Sequence, residues 1–441
     1  QSGTYRGAPT RGQACRSRAQ AQPLRTGTDS MAFFPCAHAS HAQWQQALSQ
    51  VVAQLRAQMA MQSGQAWPAL GLMYLTTPYA THAADILAAV AKELPEVSHW
   101  SGMAAPAILG GDMRYAGEQG ALAVMLPLLG TADFRQFSGL QPIARVEVEG
   151  FEVHSVLVHG DGRMPELEEL LLELASHTAS GEMMGGFGSD RRCGIQLAWS
   201  RKLPVAHDTG LLSGGLSGVA FSDQVHTLSR VVQGCKPLAQ PMEITDVRDH
   251  VILGLNGRPA LDVLMQTLDV QLEVDAQAAI SRVRNTLLAL SLDTYTPHGS
   301  SIDVRSRVRP IVGLDPLRRG IVLDETVDKG MHVAFCERSS AAAWSELRRA
   351  CAEIQEELAP DIPWPQAGVP APARMVCGAI YVRSHLRGGT AATNEADAEL
   401  QLIRHALGPI PLVGFVTAGE ISGREVHGMS GQLTVFTQAL V

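Results

Sequence analysis

The sequence predicts an α/β fold in which repeated strand–helix–strand units form mixed sheets flanked by helices, arranged as two packed domains. Two observations support this class. Segments whose apolar residues follow a helical period alternate along the chain with short apolar segments typical of buried strands. In addition, one pattern occurs three times, consisting of an amphipathic helix, a strand and a glycine-rich turn. The chain is therefore expected to contain three related units.

Glycines follow the helix of each repeat at a similar distance. In the first and last copies the apolar residues are spaced i, i+4, i+7 and i+11, which places them on one helix face. Glycine is used where the backbone turns sharply or approaches a guest closely, so we predict that the three turns line one pocket. The helix and the glycine-rich segment of the three copies lie at 81–94 and 102–111, at 167–174 and 185–190, and at 396–407 and 414–421.

The other elements follow from apolar periodicity and from their boundary residues. Pro165 and the acids after it suit the N-terminus of the middle helix, and Asn256 and Gly257 predict a tight turn. Further helices are predicted at 40–60, 259–268, 276–290 and 340–358. Strands are predicted at 69–74, 97–102, 121–126, 151–158, 194–199, 218–221, 251–255, 309–314, 321–323 and 331–336, with 432–437 pairing beside 377–382.

The length of 441 residues is too great for one compact core and predicts two or three domains. The basic leader has five arginines against one acid; it is either an organelle transit peptide or, as we favour, a tail before a true start at Met31. A proline-rich connector is expected to be a semi-rigid spacer. The predicted divisions are a disordered leader over 1–30, an α/β domain over 31–240, a middle α/β segment over 241–359, the connector over 360–373 and a closing α/β unit over 374–441.

Composition and charge exclude several functional classes. The net charge of −8 argues against a general nucleic-acid binder, because neutralising phosphates requires a basic face. No apolar run reaches the roughly 18 residues that span a bilayer, so no membrane insertion is expected. The seven cysteines lack the close spacing typical of zinc sites, and no metal is predicted. An odd number of cysteines without a secretory signal favours reduced thiols and a cytoplasmic location.

The linear motifs of common enzymes are missing from the sequence. No segment ends in the Gly-Lys-Ser/Thr of a phosphate loop, and no Gly-x-Gly-x-x-Gly occurs. The segment 215–218 misses the serine-hydrolase pattern Gly-x-Ser-x-Gly by one position. No His-Glu-x-x-His metal-binding helix appears. We therefore expect a protein that is not an enzyme.

The stretch from Gly414 to Glu420 is the strongest candidate for ligand binding. Gly419 precedes the acid, and Thr417 offers a hydroxyl between the glycines. Glu420 would accept hydrogen bonds from an ammonium group while Arg383 holds a carboxylate in a bidentate manner. This arrangement suits an amino-acid-like zwitterion. In the structural alternative, Glu420 and Arg383 pair with each other across adjacent strands.

Four other side chains carry further hypotheses. Ser189 and Ser217, each beside glycines, would supply a second polar wall, although turn formation alone also explains such glycines. Cys235 beside Lys236 is the thiol expected to matter most, with an inert buried thiol as the alternative. His427 is predicted to be a buried histidine bonded to a carbonyl, and it is a candidate axial ligand if haem binds.

Several motifs together resemble one known family. Arg383, Glu395, the segment 414–421 and His427 are similar to the C-terminal part of the FIST family. Earlier segments that resemble its intervening motifs are 215–219, 233–237 and 308–313. The resemblance covers roughly 65–440, both the FIST N and the FIST C parts. It implies a bacterial sensory module that binds small ligands such as amino acids, and some similar proteins are proposed to carry haem and report nitric oxide.

The leading hypothesis is a cytoplasmic, non-catalytic signal-transduction protein that binds a small polar ligand without a cofactor. Because the sequence offers no output domain, the signal is expected to pass to a separate signalling protein. Binding would shift two domain arrangements about the connector, since a ligand biases an equilibrium only by preferring one state. One alternative is a haem-binding nitric oxide sensor. Another is a protein-interaction module without a small ligand.

Overall fold

The structure, a computed structural model, covers the chain from Phe33 to Leu440 with several gaps. It describes residues 33–62, 64–139, 141–143, 150–188, 194–201, 209–270, 276–291, 307–360, 373–387 and 392–440. The predicted leader over 1–30 and nearly all of the predicted connector over 360–373 lie outside the described residues, so both stay predictions. By its internal contacts, the chain from Ala32 onward forms one unit.

The helices lie close to their predicted positions, with one exception. The predicted helix over 276–290 ends at Asn285, and the apolar run after it is a strand, because it is buried between two neighbouring strands. The helices are α1 (Trp44–Met61), α2 (Thr77–Ala80), α3 (Ala83–Glu93), α4 (Leu167–Ser176), α5 (Ala260–Leu268), α6 (Ala276–Asn285), α7 (Ser340–Leu358) and α8 (Ala392–Leu407).

Strands make up most of the remaining described structure. In chain order they are β1 (Cys36–Ser40), β2 (Leu70–Thr76), β3 (His99–Ala105), β4 (Ala107–Gly110), β5 (Met113–Ala116), β6 (Ala121–Met125), β7 (Phe134–Phe137), β8 (Ser155–Asp161), β9 (Glu182–Gly188), β10 (Ile195–Ser200), β11 (Leu211–Ser213), β12 (Leu216–Phe221), β13 (His226–Val232), β14 (Cys235–Pro237), β15 (Met242–Arg248), β16 (Val251–Leu255), β17 (Arg258–Pro259), β18 (Thr286–Ser291), β19 (Arg307–Pro310), β20 (Gly313–Asp315), β21 (Gly320–Val322), β22 (His332–Arg338), β23 (Arg374–Ser384), β24 (Leu412–Thr417), β25 (Gly419–Ser422), β26 (Glu425–His427) and β27 (Gly431–Ala439). The predicted pairing of the last strand is confirmed, since β27 lies antiparallel to β23.

Three six-stranded sheets share one plan. The first sheet has the order β1-β6-β2-β3-β10-β11, the middle sheet β7-β12-β8-β9-β25-β26, and the closing sheet β13-β27-β23-β24-β4-β5. Among the described strands, the third and fourth of each sheet are the only parallel neighbours, and a helix of the repeat connects them. The three repeats detected in the sequence are therefore three strand–helix–strand units.

One hairpin that follows each unit in the chain pairs with the sheet of another unit. The strands β4 and β5 directly follow β3 of the first sheet, yet β4 pairs with β24 of the closing sheet. In the same way β10 leaves the middle unit to pair with β3, and β25 leaves the closing unit to pair with β9. The predicted first domain and closing unit therefore share sheets, whatever their boundaries along the chain.

The three sheets face a common apolar core. Tyr74 of β2 stacks on Phe415 of β24 with 4.8 Å between ring centroids, and its hydroxyl lies 3.2 Å from Nε2 of His159 on β8. Burial lowers the pKa of His159 to about 3, so this imidazole is neutral at physiological pH. One aromatic or imidazole group from each sheet thus meets the other two at the centre of the core.

Helices cover the outer faces of the three sheets. Helices α1 and α3 pack on the first sheet, α4 packs on the middle sheet, and α7 and α8 pack on the closing sheet. The remaining strands from β14 to β22 form a nine-stranded sheet with its own core, to which α5 contributes. The predicted α/β class with mixed sheets flanked by helices is confirmed. The three six-stranded sheets with their helices form one body and the nine-stranded sheet forms a second, which is consistent with two packed domains.

The repeated glycines have a structural role inside these sheets. Gly102, Gly185 and Gly414 occupy the same register position in the second parallel strand of their units. A Cβ added at these glycines would lie 1.8, 2.0 and 2.0 Å from the facing carbonyl oxygens, those of Met73, Val158 and Tyr381. The close approach at these three glycines is therefore between two strands and not to a guest molecule, and the prediction that their turns line one pocket stays a prediction.

We expect Gly414→Ala to destabilise the protein by about 1–3 kcal/mol, because the new methyl group overlaps the Tyr381 carbonyl and the strands must separate. Gly428→Ala is the matched control, since a Cβ there meets nothing within 4 Å. Chemical denaturation of both variants checks this. Equal midpoints would contradict the packing role of Gly414.

Candidate functional site

A buried carboxylate at the end of the closing sheet binds two guanidinium groups. Glu399 on α8 accepts hydrogen bonds from Nε of Arg383 and from Nε of Arg387, both at 2.8 Å. The hydroxyl of Tyr381 also donates to Glu399, at 2.9 Å. All four side chains are nearly inaccessible to solvent. We call these four residues the Glu399 cluster.

The Glu399 cluster carries more positive than negative charge. Burial alone would raise the pKa of Glu399, but Arg387 and Arg383 lower it, so this carboxylate is ionised. Two guanidinium groups therefore share one negative charge. Within the described residues, Nη2 of Arg383 and Nη2 of Arg387 are buried without a hydrogen-bond partner. Spare buried donors of this kind favour an anion as an additional partner.

A glycine turn connects the cluster to α7. Nη1 of Arg387 donates to the carbonyl of Val232, and the backbone N–H groups of Gln233 and Gly234 donate to Oε2 of Glu346 at 2.8 and 2.9 Å. Gly234 has a φ of +72°, and a Cβ there would lie 2.9 Å from that of Ala343. The turn therefore requires glycine to lie this close to the helix.

A cavity of about 470 Å³ opens beside the Glu399 cluster. We call it the Arg387 cavity. Among the described residues, three arginines line it, Arg284, Arg338 and Arg387, against two acids, Glu337 and Glu399. The excess of one positive charge makes the cavity suited to an anionic group.

The first turn of α7 forms another part of the cavity wall. Ser339 and Ser340 line the cavity, and Oγ of Ser339 caps the helix by accepting from the N–H of Ala342 at 3.2 Å. The N-terminus of a 19-residue helix carries a partial positive charge. This end of α7 therefore adds to the attraction that the arginines exert on an anion.

The structure places the two charged residues of the predicted site in one region but gives them different partners. Arg383 binds Glu399, whereas Oε2 of Glu420 accepts from Oγ of Ser430 at 2.9 Å. Burial raises the pKa of Glu420 to about 8, although Ser430 and the charge of Arg387 oppose this. Glu420 is therefore mostly protonated at pH 7. It does not line the Arg387 cavity.

The other predicted ligand contacts are engaged inside the protein. Oγ1 of Thr417 donates to or accepts from backbone groups of Phe187 and Gly419 at 2.7 to 3.3 Å. A Cβ on Gly419 would lie 2.5 Å from the ring of Phe187. Ser217 donates to Oε1 of Gln196 at 2.6 Å. These contacts favour structural roles, and Ser189 lies outside the described residues.

His427 is buried on β26, opposite Glu420 in the register. Burial, with Arg309 and Arg307 nearby, lowers the pKa of His427 to about 4. Its Nδ1 has no hydrogen-bond partner in the part of the chain that the structure describes, so the predicted bond to a carbonyl is not seen at this nitrogen. Among the described residues, neither His427 nor any other histidine lines the Arg387 cavity. The described residues around this cavity therefore supply no axial imidazole for a haem, and haem binding stays an untested alternative.

The sequence carried a signal for the residues that were missed. Glu399 lies among Ala396, Leu400 and Ile403 on the apolar face of α8, where an unpaired charge is costly. Glu346 lies in the same way on the buried face of α7. A carboxylate on the apolar face of a helix predicts a buried cationic or hydrogen-bonding partner.

Comparisons with known proteins identify the family. The FIST N domain matches residues 69–258, and the FIST C domain matches residues 260–423. The two matches cover most of the chain, which therefore belongs to the FIST family. FIST domains are associated with sensory and signal-transduction proteins.

The chain is also similar to uncharacterized proteins of mycobacteria. Uncharacterized protein Rv0628c of Mycobacterium tuberculosis is 30% identical over 233 residues, which cover 52% of this chain and 55% of that protein. Uncharacterized protein Mb0898c of Mycobacterium bovis is 28% identical over 233 residues, with the same coverage. The chain spans about half the length of the curated relatives that it matches.

The described residues offer neither a cluster of metal ligands nor a helix suited to a membrane. They contain no group of three or more histidine, cysteine or acidic side chains placed to hold a metal ion. Among the helices of the same residues, none combines the length and the apolar character needed to cross a bilayer.

Replacing Glu399 by leucine should destabilise the protein by about 3–5 kcal/mol, because two guanidinium groups would stay buried without their carboxylate. Asp397→Asn on the same helix is the control; its carboxylate is half exposed in a long ion pair with Arg114, and a change within about 0.5 kcal/mol is expected. Denaturation midpoints at pH 7 measure both effects. A small effect at Glu399 would show that the cluster is not a structural centre.

The Glu420 carboxyl predicts a pH dependence of stability. Its pKa is about 8 in the folded chain, against an ordinary value of 4.5. Between these values the folded state keeps a proton that the unfolded state releases, so this group's contribution falls as the pH rises, by at most about 1.4 kcal/mol per pH unit. As the pH rises from 5 to 8, the free energy of unfolding of Glu420→Gln should therefore fall by less than that of the wild type.

Glu425→Gln in the neighbouring strand controls for the loss of one charge. Denaturation midpoints of the three proteins at pH 5 and pH 8 provide the measurement. If Glu420→Gln and the wild type lose equal stability over this range, the buried proton is not on Glu420.

Proposed function

We propose that this FIST-family protein is a non-catalytic sensory module that binds a small, amino-acid-like metabolite through its carboxylate in the Arg387 cavity. The observation that carries the proposal is the buried guanidinium of Arg387, which lines the cavity and has an Nη2 without a partner among the described residues. A carboxylate would pair with the guanidinium of Arg387 and with that of Arg338, which also lines the cavity.

The cavity also has an acceptor for a second ligand group. Glu337 lines it and supplies a carboxylate that could bind an ammonium group. The surplus positive charge and the α7 N-terminus favour the carboxylate end, and Glu337 favours the ammonium end. An amino-acid-like zwitterion therefore fits the cavity better than a neutral or purely cationic molecule does. This is the ligand class expected from the sequence, at a different set of residues.

Binding would connect two bodies of the fold. Arg284, Leu287 and Glu337 belong to the nine-stranded sheet or its helix α6, whereas Arg387 and Glu399 belong to the closing unit. A ligand that contacts both walls would stabilise the arrangement in which they are close. We propose that a separate signalling protein reads this arrangement and that the protein acts in the cytoplasm. The predicted joint in the connector stays a prediction.

The test is a calorimetric and thermal-shift series with amino acids, dicarboxylates and amines as separate probes. Arg338→Gln should weaken the binding of a responding carboxylate by about 10- to 100-fold, since it removes one charge-assisted hydrogen bond at the cavity wall. Arg348→Gln, an exposed arginine on α7 outside the cavity, should bind like the wild type.

Three outcomes would contradict the proposal. They are no binding by any carboxylate probe, equal affinity of the Arg338 variant and the wild type, or a preference for amines. The first outcome would favour the interaction-module alternative. An absorption band that appears on haem loading and moves with nitric oxide would favour the haem sensor instead.

A further inference from the structure

Two buried cysteines lie together beside the Arg387 cavity. Cys235 on β14 and Cys336 on β22 belong to neighbouring antiparallel strands, in which Cys235 faces Arg338 and Pro237 faces Cys336. The two cysteines are therefore diagonal neighbours on one face of the sheet, within reach of each other's side chains. They belong to the same small apolar cluster, and both are almost fully buried.

The surroundings make the two thiols unequal. The side chain of Cys336 is a hydrogen-bond partner of the Cys235 sulfur, and this contact is the main reason why the pKa of Cys235 is lowered. Sγ of Cys336 also lies 3.5 Å from the carbonyl oxygen of Leu287, to which its S–H group can donate. Arg387 and Arg338 lower the pKa of Cys235 further, against burial and the charge of Glu346. The contact between the two thiols, together with burial, raises the pKa of Cys336. Cys235 thus has the more thiolate character and Cys336 keeps its proton.

The cavity brings solvent close to this pair. Gln233 and Gly234, the residues directly before Cys235, line the Arg387 cavity, and so do Leu287 and Met429, which pack against the thiol cluster. The cavity therefore lies next to the thiol cluster, although neither cysteine lines it. The other buried cysteines of the described residues have no such position, since Cys351 and Cys377 lie in other apolar clusters.

We infer that Cys235 and Cys336 form a reversible dithiol–disulfide pair that responds to hydrogen peroxide. The thiolate of Cys235 attacks one peroxide oxygen, the O–O bond breaks, and hydroxide leaves, which forms a sulfenic acid at Cys235. The sulfur of Cys336 then attacks the Cys235 sulfur, loses its proton and displaces the second oxygen as water. Two thiols lose two electrons and two protons in total, and one peroxide becomes two waters. A dithiol reductant reverses the bond by exchange.

The bond would act on the wall of the cavity. Cys235 follows the turn that binds Glu346 and Arg387, and Cys336 precedes Glu337 and Arg338 on β22. Joining the two sulfurs would draw these two parts of the wall together. The thiol pair does not depend on the proposed ligand, so its test gives an answer even if no metabolite binds.

The experiment treats the full chain with a small excess of hydrogen peroxide under native conditions. Free thiols are then alkylated, and the digest is examined by mass spectrometry. We expect one linked peptide pair joining Cys235 to Cys336, lighter by two hydrogens and cleaved by a dithiol reductant. Cys351 and Cys377 should escape oxidation and be recovered as alkylated thiols, because burial raises the pKa of both to about 12.

Two serine variants assign the roles, after circular dichroism shows that each is folded. Cys336→Ser should leave Cys235 as a sulfenic acid that dimedone traps, because the resolving thiol is gone. Cys235→Ser should give neither the disulfide nor dimedone labelling at Cys336. A linkage that forms only after unfolding, oxidation of Cys351 or Cys377 to the same extent, or dimedone labelling of Cys336 in Cys235→Ser would overturn the inference.

Discussion

The pairing of Glu399 with Arg383 and Arg387 is the interaction around which the closing part of the fold and the candidate site are organised. It connects α8 to β23 and, through Arg387, to the carbonyl of Val232 at the end of β13. Without this carboxylate two guanidinium groups would be buried near one another, which is strongly unfavourable. The same pairing orients Arg387 along the wall of the cavity, so stability and the proposed binding function share one carboxylate.

The buried positive charges of the site are only partly neutralised by its carboxylates. Glu399 is ionised between its arginines, whereas Glu420 close to Arg387 is mostly protonated at pH 7 because burial outweighs the attraction of that charge. Two carboxyl groups in one region thus have different charge states. The surplus positive charge that results lies beside the Arg387 cavity.

The sequence was sufficient to predict the class of fold and the three repeats, because the apolar periods of α3 and α8 depend on local residues. It was not sufficient for the pocket. Gly102 and Gly414 looked like loop glycines, but they permit contact between parallel strands, and the identity of the facing carbonyl is a long-range fact. Glu399 was visible only as an acid on an apolar helix face. The strand after α6 was missed because a short apolar run is consistent with either helix or strand.

The exchange of hairpins also affects how the chain can assemble during synthesis. The edge of β9 has no neighbour until more than two hundred further residues have been synthesised and β25 can pair with it. The separation between β4 and its partner β24 is longer still. A nascent chain that ends within the FIST N part would therefore present an open sheet edge and an unpaired hairpin, both of which invite pairing with another molecule. The two named halves of the family are accordingly interlocked parts of one folding unit, and neither half is expected to be a separable building block.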